Sequence, residues 1–552
     1  MGLFPGPGDL LLEPSTSVGG LRRVFAFAYL QYLVSSGALP VVGQSQVSKE
    51  IEGSLRILPL PWTLRDRPPP SITHDAFWRL SAQEREAREQ HLRSMPSEWA
   101  RQPSGDSGLF WEALQPPLYY WLLSAPFRVF QDTSLPARVI MLRWLSVAVA
   151  SLVIPLGFLS ACAVFHDDGT ALGVVALIAA MPELMVDISR VGNESLGVAL
   201  YSLLIYSTLR LLDDPTNGRH ALILGWALGL GLLTKAYFLT TGPALALIFA
   251  WAAWRQRRFR AKTVLSGILA ASTALVLSGW WYLRNYTLTG FWFWQSGAQA
   301  IQGKSLATLL RRIPEVDWQN VQRSVLISHI WFGGWSFLQV RGWMYKFFGD
   351  IVILAVAGLV VHAWRELART QAQTTLEARP AHFLALTSFY CFFCLGLAYH
   401  ALLMFVLQHV SATDGWYLYC PVVAEVALVT SGVFALSPRR VRQWILPFTA
   451  TFFALLDLYG MHFIMVPYYS GFISHDSKGI LTAFHVGILR DYRLTAVVAR
   501  LLVNKPGWLT TPGFIACWLL FLASTIGLPV LSFQAGGPLH TPPQSGQQAG
   551  LS

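Results

Sequence analysis

The feature that most constrains this chain is a series of apolar runs, each close to the length a helix needs to cross a bilayer. A crossing takes about 20 residues. Candidate runs fall at 139–165, 171–187, 196–212, 220–236, 238–254, 263–283, 350–364, 383–409, 418–437, 444–466 and 512–533. That amounts to about eleven transmembrane helices. The stretch from Val24 to Val42 is too interrupted to count. Of the 552 residues, 53% are hydrophobic and only 13% charged. A soluble globular chain carries about 25% charged residues, so a soluble core is excluded and the expected fold is an all-α polytopic membrane protein. The net charge of +11 does not indicate nucleic acid, because the basic residues sit in short loops between apolar runs. Cys162, Cys391, Cys394, Cys420 and Cys517 lie in or beside apolar segments. The Cys391-x-x-Cys394 pair has no second ligand pair, so all five read as packing thiols.

Loop charge sets the orientation. Arg255, Arg257, Arg258, Arg260 and Lys262 crowd one loop, Arg365, Arg369 and Arg379 another, and Arg439, Arg440 and Arg442 a third. One alternation of spans puts all three in the cytoplasm, as the positive-inside rule requires. The same alternation places 41–138, 284–349, 410–417 and 467–511 outside, so the long irregular segments share one face. The expected organisation is an atypical N-terminus at 1–24 and an outer segment with juxtamembrane helices at 25–138. A first membrane half follows at 139–283, an outer loop at 284–349, a second half at 350–533 and a disordered tail at 534–552. Within the first outer segment, Ser81 with Glu84 opens a capping box for a helix over 81–93. Tyr119–Phe130 is short, apolar and aromatic, and is expected in the interface plane with its aromatic face among headgroups.

Six segments in order carry a resemblance. They are Phe27–Pro40 (FAYLQYLVSSGALP), Phe110–Leu123 (FWEALQPPLYYWLL), Ile188–Leu196 (ISRVGNESL), Gly225–Lys235 (GWALGLGLLTK), Trp280–Gly290 (WWYLRNYTLTG) and Asp414–Pro421 (DGWYLYCP). Together they resemble the GT-C superfamily of membrane glycosyltransferases, in its bacterial branch of protein mannosyltransferases and lipid A aminoarabinose transferases. The resemblance covers roughly residues 25–470. It implies a GT-C-like helical bundle with a long first outer loop. It also implies a polyprenyl-phosphate sugar donor and an acceptor glycan, lipid or protein at the outer face of a bacterial cytoplasmic membrane. One departure stands out. The family's first span ends in an acid that serves as general base, whereas Leu21–Ala26 (LRRVFA) precedes Phe27 here and contains no acid. The expectation is therefore an impaired transferase, or a sequence that starts late or is shifted in frame upstream.

Such a transfer needs a group to take the acceptor proton and positive charge on the leaving phosphate. Glu112, four residues before Pro116-Pro117, is the candidate base. Relatives carry a His near the Pro pair, where this chain has Leu114. Lys235, Arg284 and Arg190 are the candidate phosphate-binding residues, and a divalent metal such as Mg or Mn is the alternative source of positive charge. Asn193, Glu194 and Asp414 fall at the same face. His475 and Asp476, in the sequence SHDSK, form a further polar group. The competing expectations are a non-catalytic member of the same fold and a transporter or flippase. Transporters show internal repeats, and the two halves of this chain show none.

Overall fold

Proline and short polar breaks divide the apolar runs of this chain into helices. The computed structural model describes residues 15–41, 44–66, 71–105, 111–255, 260–292, 306–333, 337–372 and 378–535. Arg257 and Arg258, the first 14 residues and most of the proposed tail lie outside these ranges. Helix α1 (Ser15–Ser36) is followed by α2 (Lys49–Ile57), α3 (His74–Arg79), α4 (Ala82–Arg93) and α5 (Leu118–Phe130). Next come α6 (Leu135–Ala150), α7 (Val153–Phe165), α8 (Asp168–Ala180), α9 (Pro182–Ile188), α10 (Glu194–Asp213), α11 (Gly218–Leu232), α12 (Thr241–Arg255) and α13 (Arg260–Thr289). Longer helices at Gly342–Ala372, Ala378–Gln408, Arg439–Gly460 and Thr511–Ala535 follow, with a shorter one at Val422–Leu436. The described residues contain isolated β-bridges but no sheet. The all-α membrane architecture is therefore as expected.

Among the described residues, eight helices are long and apolar enough to cross a membrane, or nine if a bent pair counts as one span. The expected number was about eleven, and the difference has three sources. The run 171–187 is α8 and α9, bent by 66° at a break. The run 220–236 is α11, only 15 residues long, and the run 418–437 is likewise a helix of 15 residues. Helix α11 compensates by close packing. A Cβ on Gly225 would stand 2.7 Å from the Ala270 carbonyl oxygen, and one on Gly229 would stand 3.0 Å from Ala274 Cα. Small residues of this kind let helix backbones approach in a membrane, where dispersion and not water drives packing.

The segment between α1 and α6 is tied to the bundle by a buried polar chain. Glu50 on α2 pairs with Arg138 on α6, and both side chains are 2% exposed. Gln31 donates to the other Glu50 oxygen at 2.5 Å, and Ser48 donates to Gln31 at 2.7 Å. Removing one partner from such a buried pair typically costs about 3–5 kcal/mol, so these contacts fix where the segment sits. The capping box at Ser81 forms as the sequence indicates, with Ser81 and Glu84 satisfying each other's backbone N–H. Helix α5 departs from expectation. Tyr119 and Tyr120 are each 1% exposed and face the protein. Trp121 faces outward and stacks on Trp280, with ring centroids 5.6 Å apart.

Candidate functional site

The site begins at the α8–α9 break. Met181 precedes Pro182 and takes an extended conformation (φ −72°, ψ 109°), because a residue before proline is driven out of the helical region. Pro182 then starts α9 at a position where its missing N–H costs nothing. The bend carries two acids into the protein. Glu183 is fully buried and Asp187 is 4% exposed. Arg190, in the turn after α9, donates to Asp187 Oδ1 at 2.8 Å and to Glu183 Oε1 at 3.1 Å. The second Glu183 oxygen accepts the Phe332 N–H at 2.9 Å. Asp187 Oδ2 is buried without a hydrogen-bond partner.

The next residues connect this corner to two other parts of the chain. Asn193 donates through Nδ2 to the Thr234 carbonyl at 2.9 Å and to Gln115 at 3.3 Å. Gly192 N–H donates to the Tyr119 hydroxyl at 3.0 Å. Glu194, the first residue of α10, forms an ion pair with Lys235. Lys235 is held in an extended conformation (φ −159°, ψ 144°) between α11 and a short 3-10 turn at Ala236–Thr240. Its ammonium lies 5.4 Å from the Tyr237 ring centroid and 5.5 Å from that of Tyr417. Cations are attracted to such ring faces, so Lys235 sits in an aromatic cradle with one carboxylate partner.

The remaining candidates divide into two groups. Asp414 lies within electrostatic reach of Asp187 and Arg190, and the adjacent Trp416 ring stands 5.7 Å from the Arg190 guanidinium. Glu112 accepts a hydrogen bond from the Tyr120 hydroxyl at 3.3 Å and lies within electrostatic reach of Lys235. Tyr120 stacks on Tyr29 at 3.9 Å. Both Glu112 and Arg284 act electrostatically on Tyr29. Arg284 donates to the Pro40 carbonyl at 3.3 Å and lies over the Trp281 ring at 5.1 Å. Glu112, Arg190, Asn193, Glu194, Lys235 and Asp414 are thus linked around one corner, and Arg284 joins through the tyrosine pair.

His475 and Asp476 take a different place. Asp75 on α3 accepts the His475 N–H at 2.6 Å, His475 Nδ1 at 3.1 Å and the Tyr468 hydroxyl at 3.2 Å. Burial disfavours the Asp75 charge, but the hydrogen bonds from His475 outweigh it and hold the carboxyl below its ordinary value. Asp476 accepts the N–H groups of Lys478 and Ile480 and closes its own turn. Gly471 makes the approach to this loop feasible. Its φ of +74° suits glycine, and a Cβ there would overlap Trp78.

Glu183 and Asp187 were not among the sequence candidates, although acids within an apolar run are a recognised functional signal. The sequence reading also passed over Asp75. Among the described residues, no group of three or more His, Cys, Asp and Glu side chains is arranged to hold a metal ion. A separate cleft of about 610 Å³ on the first loop segment is lined by Lys49, Glu52, Arg56, Arg88, His91 and Trp99, and it contains none of the candidates.

The fold and this corner define a class: a multi-pass helical membrane protein with a buried cluster of acids and cations at a break between spans. Comparison with known proteins gives the relationship. Residues 114–282 match the family described as Dolichyl-phosphate-mannose-protein mannosyltransferase. The match begins two residues after Glu112, ends two before Arg284, and contains Arg190, Asn193, Glu194 and Lys235. Over this stretch the chain is similar to that mannosyltransferase family, the kind of membrane enzyme that the six sequence segments resemble. Among solved structures, it is similar to ArnT from Cupriavidus metallidurans bound to undecaprenyl phosphate. That similarity has 16% identity and a TM-score of 0.38, covering 88% of this chain and 72% of that one. No curated protein matches.

Proposed function

We propose that this chain transfers a sugar from a polyprenyl-phosphate-linked donor to an acceptor glycan, lipid or protein at the outer face of a bacterial cytoplasmic membrane. The observation that carries this reading is the Lys235–Glu194 pair. A lysine is held at a break between apolar helices, among aromatic rings, on a carboxylate that Arg190 also reaches electrostatically, and within the stretch that matches the family. In this reading segments 41–138, 284–349 and 467–511 lie on the outer side. Lys235 exchanges Glu194 for the donor phosphate, and Arg190 and Arg284 add positive charge nearby. Glu112 takes the proton of the acceptor hydroxyl. The acceptor oxygen bonds to the anomeric carbon as that carbon's bond to the phosphate oxygen breaks. The polyprenyl phosphate leaves with the electron pair, and the cations stabilise the charge that develops there.

The test is a transfer assay in proteoliposomes with a panel of polyprenyl-phosphate sugars, following release of polyprenyl phosphate. Transfer that depends on Lys235 supports the reading. Saturable donor binding without transfer would point to the non-catalytic alternative, and donor movement across the bilayer without bond cleavage would point to a flippase.

A further inference from the structure

Helix α6 carries a second cation that the corner does not use. Arg143 is exposed on the same face as Trp144, which is 57% exposed, whereas Leu142 and Ser146 on the other face are fully buried. Arg143 lies eight residues into the helix, about 12 Å from its start, and within an apolar span. A charged side chain at such a depth is costly in lipid unless it snorkels or meets a counter-charge. Among the described residues Arg143 forms no ion pair. A cation of a neighbouring segment faces it. Lys505 lies within electrostatic reach of Arg143, and burial together with that guanidinium pushes its ammonium down to about 8.

The two cations belong to elements in direct contact. Trp144 packs edge-on against Trp508, with ring centroids 5.5 Å apart, and Trp508 is 45% exposed. The segment bearing Lys505 is also fixed. Asn504 takes a left-handed conformation (φ 60°), and its N–H is held by Glu89 at 3.3 Å. Glu89 is itself paired with Arg93 at 2.7 Å. His74 lies nearby and does not offset the charge, because burial lowers it to about 4 and leaves it neutral near pH 7. The result is two cations of like sign within electrostatic reach of each other, on elements joined by the contact between two partly exposed tryptophans. Tryptophans of this kind settle at the membrane–water interface.

We infer that Arg143 and Lys505 bind the anionic phosphate headgroup of a membrane lipid, seated laterally between α6 and the segment before the Thr511–Ala535 helix, with Trp144 and Trp508 against its glycerol and upper acyl region. An anion between the two charges removes their repulsion and supplies the counter-charge that the span lacks. The inference does not depend on the sugar-transfer reading.

The protein in phosphatidylcholine nanodiscs is titrated with phosphatidylglycerol, and retained lipid is counted by native mass spectrometry. The expected result is preferential retention of phosphatidylglycerol. It should weaken on the order of fivefold for each cation removed, in Arg143→Gln and in Lys505→Gln, and be kept in Arg143→Lys. Polyprenyl phosphate binding at Lys235 should be unchanged in Lys505→Gln, so failure here is distinguishable from failure of the transferase reading. Equal retention of the two lipids by the wild-type protein, or an undiminished preference in Lys505→Gln, overturns the inference. Inorganic phosphate displacing phosphatidylglycerol at comparable concentration overturns the lipid source in favour of a free anion. If Arg143→Gln does not fold, Lys505→Gln decides alone, because it lies outside the spans.

Discussion

Two polar clusters in this molecule looked alike as candidates and differ in one physical respect. At the His475 loop, the single carboxylate of Asp75 receives the His475 backbone N–H, the imidazole and the Tyr468 hydroxyl. Its acceptor capacity is taken up by one short stretch of chain, and the arrangement is a clasp. At the Lys235 corner, Glu183, Asp187 and Glu194 face Arg190 and Lys235, and Asp187 Oδ2 is buried without a hydrogen bond. The corner keeps an acceptor without a donor and a cation with one carboxylate partner, and under the proposed function an anion displaces that partner from the cation. Saturation of hydrogen bonding separates the two better than residue type does.

The sharpest way to break this comparison is at Glu112. If it takes the acceptor proton, Glu112→Gln lowers the transfer rate by about 10²–10⁴-fold while donor binding is retained, as read by single-turnover kinetics and donor titration. An unaltered rate would remove Glu112 from the reaction. Lys235→Ala should reduce transfer by about 10²–10³-fold and also weaken donor binding. It strands Glu194, so yield should fall as well. Lys235→Ala with Glu194→Gln should restore yield without restoring transfer, which separates chemistry from folding. His475→Ala sharpens the contrast from the other side. Transfer should stay within about twofold, while the loss of bonds to a charged carboxylate costs about 1.5–3 kcal/mol, measured by thermal unfolding in detergent. A large loss of rate in properly folded His475→Ala would return that loop to the site.

The smallest expected effect is the pH response of the clasp. The folded Asp75 carboxyl lies below its ordinary value. Its contribution is therefore fully present above the unfolded value of about 3.9 and fades as pH falls through the depressed folded value. Proteolytic cleavage within 471–480 should accelerate below about pH 4, and Asp75→Asn should cleave readily with little dependence on pH. Cleavage of the wild type that does not change with acidity would show that other contacts hold the loop.

Much of this architecture is legible in the order of apolar runs, because a bilayer imposes a length on each crossing and that length is visible in sequence. The run 171–187 is the instructive case. Its mean hydropathy reads as a span, yet Pro182 breaks it and Glu183 and Asp187 turn inward. Two acids within five residues of a proline were the available signal. The pairing of Lys235 with Glu194 was accessible only as a shared face, since it joins residues 41 apart. The Glu50–Arg138 pair, 88 residues apart, has no local signature. Its partners looked like ordinary loop and helix-end charges, and only the folded chain brings them together.

The α8–α9 bend also bears on how the protein is made. Arg190 emerges within seven residues of Glu183, so the acid enters the membrane already accompanied by a positive charge. Its other oxygen must wait for the Phe332 N–H, which is synthesised 149 residues later. During that interval Glu183 is paired but not locked, and the second half of the chain supplies the lock. The corner therefore takes its final form late in biogenesis, when membrane insertion has reached the Trp318–Ile330 helix and the residues that follow it.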